Sequence, residues 1–160
     1  IQTHMDVAAS TYAPTEWIGH YEDLIKRSGR NLEITEFSAP GEDSVLQAHY
    51  MRDMLILAFS LEYMEGFTLW GFCDIWGGGN STPFFNQGWS EKPGLEQWID
   101  LVYNKWWTKN ATANTNCSGR CRINGFYGDY DIKVSYNGKS KTVSAKFYKD
   151  DNSEVVIMLD

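Results

Sequence analysis

Acidic, imidazole and indole side chains lie where short apolar runs of this sequence are predicted to end as strands. Glu36 lies near the end of "LEITEF", Gln2 and His4 lie in "IQTHMD", and Trp70 lies in "GFTLWGF". In a parallel barrel, catalytic groups sit at the C-terminal ends of the strands. Gathered at one rim, these groups suit glycosidic-bond hydrolysis: Glu36 attacks the anomeric carbon, His4 tunes the acid, and Trp70 packs under the sugar ring. The alternative is that Glu36 is a solvated acid at a strand end.

Residues 1–107 alternate between strand and helix patterns three times. Apolar residues recur at helical spacing in "PTEWIGHYEDLIKRSG", "DSVLQAHYMRDMLILAFSL" and "GLEQWIDLVYNKWW". The first strand pattern is a short half-strand without an evident partner, and the third, "GFTLWGF", is apolar enough to be buried on both faces. Alternation of this kind predicts parallel strands with crossover helices. Because a full barrel needs about 250 residues, the sequence predicts the last part of a barrel or a small open α/β sheet.

A polar, glycine-containing linker, "TKNATANTNCSGRC", separates this region from a segment with period-two alternation. Tyr130, Ile132, Val134 and Tyr136 share one face, and "NG" at 137–138 is a strong signal for a primed hairpin turn. The alternation continues in a second run and, after "KDDNS", in a third; these runs contain Val143, Ala145 and Phe147, and Val155, Ile157 and Leu159. The pattern predicts a three-stranded antiparallel meander. The predicted division is therefore residues 1–108 for the strand–helix part and 109–160 for the linker and β tail.

Charge and composition limit the possible partners. The 160 residues carry a formal net charge of −7, which disfavours nucleic acid and anionic membrane because phosphate would be repelled. No apolar run is long enough to cross a bilayer. No metal-ligand spacing or phosphate-binding glycine motif is present, so no metal and no cofactor is expected. The first residue is Ile1, which suggests a processed chain or a piece of a longer one.

Glycosylation signals and cysteines favour a secreted protein. Sequons occur at Asn80, Asn110 and Asn116. Cys117 and Cys121 flank "SGR" and could close a small disulfide loop, with Cys73 left over. Three sequons together with a short disulfide point to an extracellular protein.

The order of four segments resembles a known enzyme family. "IQTHMD", "LEITEF", "FTLWGFCD" and "GWSEKPGLEQWIDLVYNKWWT" follow the order and spacing of the last three strand–helix units of family 10 glycoside hydrolases, the endo-β-1,4-xylanases. The following "GFYGDYDIKV" resembles the small β tail of the animal and plant-like branch. The resemblance covers nearly the whole chain and implies strands 6–8 of a TIM (β/α)8 barrel with their helices, followed by the β tail.

The resemblance also implies roles for individual residues. Glu36 matches the nucleophile, His4 the histidine that hydrogen-bonds it, Gln2 a glutamine lining the same subsite, and Trp70 the tryptophan beneath the sugar. Asp74 and Trp76 fall in a loop where the family places further sugar contacts. The implied activity is retaining hydrolysis of internal β-1,4 links in xylan or a related glucan, through a covalent glycosyl–Glu36 intermediate.

The sequence departs from the family pattern at two points. Ser38 stands where the family often has an Asp that supports the histidine. The family's acid/base Glu follows an Asn, and no "NE" dipeptide occurs in this chain. The expected partners are therefore a β-1,4-linked polysaccharide and the N-terminal part of the barrel, or a chain carrying it; this chain alone is expected to be inactive. Two alternatives remain: a polysaccharide-binding module without hydrolysis, and a structural secreted protein on a glycosidase-derived fold.

Overall fold

Strands and helices alternate along the first hundred residues, and the strands form a parallel sheet. The computed structural model describes residues 1–5, 12–75, 82–151 and 154–159. The strands are β1 (Gln2–His4), β2 (Leu32–Ser38) and β3 (Met64–Leu69). They are hydrogen-bonded in the order β1-β2-β3, and both pairs are parallel. The predicted α/β arrangement is confirmed for this region, while its position as strands 6–8 of a barrel stays a prediction.

Three helices connect or follow these strands. They are α1 (Pro14–Ser28), α2 (Ser44–Ser60) and α3 (Pro93–Ile99), and a π-helical turn, Asp100–Lys105, continues α3. Pro14 opens α1, and Gly29 ends it in the left-handed conformation at φ 63°, donating its N–H to Ile25 O. Asp43 caps α2 by accepting hydrogen bonds from Val45 N and Leu46 N at 2.9 and 3.0 Å. Local capping chemistry therefore sets where the connecting helices begin and end.

The buried residues of this region come from all three kinds of element. Ile34 and Phe37 of β2 and Met51 and Met54 of α2 are completely buried, and Tyr21 of α1 is 1% exposed. The expectation that β3 is buried on both faces is wrong, because none of its residues is buried. Within the described sheet, β3 is an edge strand that pairs with β2 alone. The first strand, expected to lack a partner, pairs with β2 along its whole length.

The chain divides into two compact units, Ile1–Tyr103 and Asn104–Asp160. In the second unit, β4 (Gly128–Tyr136) and β5 (Lys139–Phe147) form an antiparallel hairpin. Its turn places Asn137 and Gly138 at φ 47° and 79°, which confirms the predicted primed turn. The assignment of residues 1–108 to a hydrolase part and 109–160 to a tail stays a prediction.

The predicted third strand of the meander is wrong. Residues 154–159 have no strand structure, and the side chains of Val156 and Met158 are 78% and 73% exposed. The segment is tied to β5 by a hydrogen bond from Lys141 Nζ to Met158 O at 3.0 Å. None of the described residues from 104 onwards is buried, so the alternating apolar residues have no closed core that would hold a third strand in register.

The predicted Cys117–Cys121 disulfide is not formed, and both thiols are free and exposed. Asn116 N–H donates to Arg120 O at 2.8 Å. The side-chain Oδ1 of Asn116 accepts from Ser118 N and Arg120 N at 3.0 and 2.9 Å. These bonds set Asn116 opposite Arg120 across a tight turn, so hydrogen bonds rather than a disulfide hold this turn. Cys73 is buried, and its Sγ lies 3.3 Å from Asn86 O.

A buried ion pair anchors the long connection between β3 and α3. Lys92 Nζ donates to Asp74 Oδ2 at 3.1 Å and to Thr82 O at 2.6 Å. Asp74 Oδ1 accepts from the N–H and the hydroxyl of Thr82 at 3.1 and 2.9 Å. The side chains of Lys92 and Asp74 are only 3% and 5% exposed. Lys92, near the C-terminal end of the connection, is therefore bonded to Asp74, near its N-terminal end.

The charge of Asp74 is stabilised within this network. Burial by itself raises the pKa of the carboxyl, but the hydrogen bonds from Thr82 and Lys92 together with the Lys92 charge outweigh burial, so the pKa of Asp74 lies below its ordinary value. A lowered folded-state pKa means that this stabilisation is fully present above the ordinary Asp range and is lost as pH falls through the folded-state value.

Replacing Lys92 by Met should destabilise the protein by about 3–5 kcal/mol, because the charge of Asp74 would stay buried without its partner. Urea unfolding of the full chain at neutral pH measures the change. The double variant Asp74→Asn, Lys92→Met should be more stable than the single Lys92→Met variant, since it leaves no buried charge. The stability advantage of the wild type over Asp74→Asn should shrink as pH falls below the ordinary Asp range. If the stability advantage of the wild type over Asp74→Asn instead grows as pH falls, the lowered pKa of Asp74 is contradicted.

Gly94 in α3 should not tolerate a side chain, because a Cβ there would approach the backbone oxygen of Pro83 and lie 2.8 Å from Pro83 Cβ. Gly94→Ala should therefore lower the free energy of unfolding by about 1–3 kcal/mol. Gly19→Ala is the matched control within α1: apart from its chain neighbours and the backbone of its own helix, nothing lies within 4 Å of its Cβ position, so the substitution should stabilise by about 0.5–1 kcal/mol. Thermal unfolding of the two variants should give shifts of opposite sign, and equal shifts would refute the packing argument.

Candidate functional site

The parallel pairing of β1 with β2 brings four polar side chains together. The register sets Gln2 opposite Glu36 and His4 opposite Ser38. Gln2 Nε2 donates to Glu36 Oε1 at 3.0 Å, and His4 Nε2 lies 3.3 Å from Glu36 Oε2. The two carboxylate oxygens of Glu36 thus have different partners, both from β1, and its side chain is 24% exposed. We call Gln2, His4, Glu36 and Ser38 the carboxylate cluster.

Strand alternation explains which β1 side chains reach the cluster. Thr3 is 2% exposed, whereas its neighbours Gln2 and His4 are exposed. Successive side chains of a strand point to opposite faces. Gln2 and His4 therefore share the accessible face of the sheet, and Thr3 occupies the opposite, covered face.

An irregularity in β2 accompanies the position of Glu36. Ile34 pairs with Phe67, and Phe37 pairs with Leu69, so β2 advances by three residues while β3 advances by two. One extra residue on one strand is a β-bulge. It explains why Ile34 and Phe37 are both fully buried although a regular strand would turn them to opposite faces. The bulge turns Glu36 towards the open face, and bulges are frequent next to active sites for this reason.

Trp70 lies next to the carboxylate cluster. It directly follows β3, is 55% exposed, and its backbone N–H donates to Phe37 O at 2.8 Å. Its ring centre is 6.1 Å from that of His4, with the two planes 87° apart. An exposed indole held by its backbone offers an apolar face beside a polar cluster, which suits an amphipathic ligand such as a sugar.

A groove borders the site along β3. Its volume is about 530 Å³, and it is lined by Phe67, Thr68, Leu69, Trp70, Gly71, Phe72 and Trp98. Glu36 and His4 do not line the groove. Of the predicted site residues that the structure describes, only Trp70 lines it.

Other predicted site residues lie elsewhere or outside the described residues. Asp74 is buried in the ion pair with Lys92, and both of its carboxylate oxygens accept hydrogen bonds within the chain. That geometry gives Asp74 a structural role, while its predicted sugar contact is untested. Trp76 and Asn80 lie outside the described residues. Asn110 and Asn116 are exposed, and their glycosylation stays a prediction.

Sequence reasoning missed three features of the site. It placed Glu36 at the end of its strand, but β2 continues to Ser38, whose hydroxyl lies 2.8 Å from His4 Nδ1. The two-residue spacing from Glu36 to Ser38 was the available signal, since it predicts a shared face. The bulge and the burial of Lys92 had no signal, because both depend on residues that are distant in sequence.

The chemistry available to the cluster is that of a single oriented carboxylate. An ionised carboxylate accepts hydrogen bonds and can act as a nucleophile or as a base. Gln2 and His4 hold one oxygen each, which restricts rotation of the group. Among the described residues, no three His, Cys, Asp or Glu side chains gather in a way that could hold a metal ion, and no helix is long and apolar enough to cross a membrane.

Comparisons with known proteins found a relative by sequence and solved structures of similar fold, and no family model matches the chain. Over 136 residues the chain is 29% identical to the anti-sigma-I factor RsgI6 of Acetivibrio thermocellus, an alignment that covers 77% of this chain and 18% of that protein. Among solved structures, it is similar to xylanase 10B from Thermotoga petrophila RKU-1, solved in complex with xylobiose. The TM-score is 0.52 at 18% identity, covering 65% of this chain and 35% of the xylanase. The chain thus spans about a third of the solved neighbour and less than a fifth of the curated one. The first of these likenesses is one of sequence, and the second supports a glycoside-hydrolase-like α/β fold.

Proposed function

We propose that this chain supplies the nucleophile region of a retaining endo-β-1,4-glycanase that acts on xylan or a related polysaccharide. The observation that carries the proposal is the hydrogen-bonded carboxylate of Glu36, held by two residues of the neighbouring strand beside the exposed ring of Trp70. The fold likeness to a xylanase that was solved with xylobiose supports a carbohydrate ligand. The carboxylate, rather than a metal or a cofactor, is the reactive group in this proposal.

In the proposed reaction, Glu36 attacks the anomeric carbon while the glycosidic bond breaks, and an ester forms between Glu36 and the sugar. Water then hydrolyses the ester and restores the carboxylate. Gln2 and His4 orient the two oxygens, so that less rotational freedom has to be lost at the moment of attack. Trp70 offers its ring to an apolar face of the sugar. Gln2 and His4 already make the contacts with Glu36 that these roles require, and the ring of Trp70 lies beside His4.

The second carboxylate of the reaction has to come from outside the carboxylate cluster. A retaining enzyme uses two carboxyl groups about 5–5.5 Å apart, and the cluster contains one. We propose that an acid/base Glu is carried by the N-terminal part of a barrel, either in the same polypeptide or in another chain. The edge of β3 that has no strand partner among the described residues suits pairing with a further strand of such a barrel.

A non-hydrolytic polysaccharide-binding protein is the second candidate. The observation in its favour is the relative at 29% identity, which is an anti-sigma factor and not a glycosidase by its name. A binding protein could use Trp70 and Gln2 for sugar contacts without any acid/base. A structural secreted protein on the same fold is a third candidate, with secretion and glycosylation at Asn110 and Asn116 as part of the proposal.

Replacing Glu36 by Gln should abolish hydrolysis while it keeps sugar binding, because the shape and the contacts of the side chain remain but the attacking charge is lost. We expect kcat on xylan to fall by several orders of magnitude in the intact protein, with ligand affinity nearly unchanged. A mechanism-based glycosyl fluoride should label Glu36 in the wild type, as peptide mass mapping would detect.

The matched control is Glu33→Gln, which makes the same change on the same strand at an exposed position outside the cluster. It should leave kcat and KM near the wild-type values. Near wild-type turnover by Glu36→Gln, or labelling of a different acid, would overturn the assignment of the nucleophile.

Replacing Trp70 by Ala separates a sugar site from a purely structural protein. Loss of a stacked ring should weaken binding of xylo-oligosaccharide by about five- to tenfold, since an aromatic contact of this kind contributes on the order of 1–1.5 kcal/mol. Calorimetric titration of the Glu36→Gln background measures affinity without turnover. Trp107→Ala, which also removes an exposed Trp, should leave affinity unchanged. Binding without hydrolysis by the intact wild-type protein, with the acid/base part present, would support the second candidate, and absence of binding would support the third.

A further inference from the structure

The imidazole of His4 lies between two oxygen groups of different chemistry. Its Nδ1 lies 2.8 Å from the hydroxyl oxygen of Ser38, and its Nε2 lies 3.3 Å from the carboxylate of Glu36. A carboxylate that is ionised can only accept hydrogen bonds, whereas a hydroxyl can donate or accept. The contact with Glu36 therefore requires a proton on Nε2 of His4. The hydroxyl of Ser38 can donate to an unprotonated Nδ1 or accept from a protonated one.

The two distances favour a neutral ring. Charge-assisted N–H···O⁻ bonds are typically about 2.7–2.9 Å long, and the 3.3 Å contact between Nε2 and Glu36 is longer than that. The 2.8 Å contact with Ser38 has the length of a well-made bond from a hydroxyl. A neutral imidazole that carries its proton on Nε2 has an acceptor at Nδ1, so the hydroxyl of Ser38 is its donor.

The backbone keeps Ser38 in place for this contact. His4 and Ser38 are partners in the β1–β2 register, and Met5 N–H donates to Ser38 O at 2.9 Å. Ser38 is 8% exposed, so little water can compete for its hydroxyl. The serine is thus preset by the sheet and does not depend on a ligand for its position.

We propose that Ser38 is a positioning residue that donates its hydroxyl proton to Nδ1 of His4 and thereby holds His4 as the neutral tautomer with its proton on Nε2. In this state His4 hydrogen-bonds Glu36 without placing a full positive charge beside it, so the nucleophilicity of the Glu36 carboxylate is not reduced by a full ion pair. The kinetic consequence rests on the proposed glycanase function, but the tautomer does not. A carboxylate in place of Ser38 would only accept, and it would demand a proton on Nδ1 as well.

The test combines a spectrum that needs no substrate with kinetics that do. The full chain is labelled with [15N]histidine, and long-range 1H–15N spectra are recorded at neutral pH; the His4 signals are those lost in His4→Gln. In the wild type, Nδ1 should show an unprotonated-type shift and Nε2 a protonated-type shift. Ser38→Asp should convert Nδ1 to the protonated type. Ser38→Thr, which retains a hydroxyl, should keep the wild-type pattern.

The kinetic arm uses the same variants. Ser38→Ala should lower kcat about five- to tenfold with little change in KM, because one neutral hydrogen bond to the orienting ring is lost, and Ser38→Thr should restore most of kcat. Thermal unfolding of each variant identifies any misfolded protein, in which case the wild-type spectrum alone decides. A wild-type His4 with Nδ1 protonated would overturn the proposal. Because this chain alone is expected to be inactive, the kinetics are measured on the intact protein, with the part that carries the acid/base Glu present. An intact protein that shows the expected tautomer but no hydrolysis would overturn the glycanase function and leave the Ser38 assignment in force.

Discussion

The parallel pairing of β1 with β2 is the constraint on which the candidate site depends. β1 is only three residues long, yet its register with β2 decides which side chains meet Glu36. Side chains in a strand alternate between faces, so a shift of one residue would bring Thr3 to the cluster and turn Gln2 and His4 away. The burial of Thr3 opposes such a shift, because a slip would expose Thr3 and bury the imidazole of His4. The few backbone hydrogen bonds between β1 and β2 thus keep Gln2 and His4 in position to contact Glu36.

The bulge in β2 lets one strand serve two purposes. Ile34 and Phe37 both contribute to the buried core, while Glu36, between them, reaches the polar partners on β1. A regular strand could not bury both residues and keep the intervening acid in this position, because their spacing is odd. The extra residue of the bulge thus allows Ile34 and Phe37 to be buried while Glu36 contacts the polar residues of β1.

The two units are stabilised in different ways. The first unit has fully buried apolar side chains and a buried ion pair that closes the connection from β3 to α3. The second unit is a hairpin in which none of the described residues is buried, so its stability rests on cross-strand pairs and on the turn at Asn137. A buried ion pair adds little net stability compared with apolar residues of similar volume, since removing its charges from water has a large cost. The connection that this ion pair holds starts directly after Trp70, which is a residue of the candidate site.

The sequence by itself determined the alternation of strands and helices, the helix boundaries at Pro14 and Gly29, the primed turn of the hairpin and the polar residues of the site. These features follow from local rules: apolar periodicity, capping, and the preference of Asn and Gly for positive φ. The tertiary structure alone decided the contact between Ser38 and His4, the bulge, and the burial of Asp74 against Lys92. It also left residues 154–159 outside the sheet and left Cys117 and Cys121 unbonded to each other. In each of these cases the outcome depends on which distant groups a side chain meets and on whether water is excluded there, and a local pattern of residue types carries neither quantity.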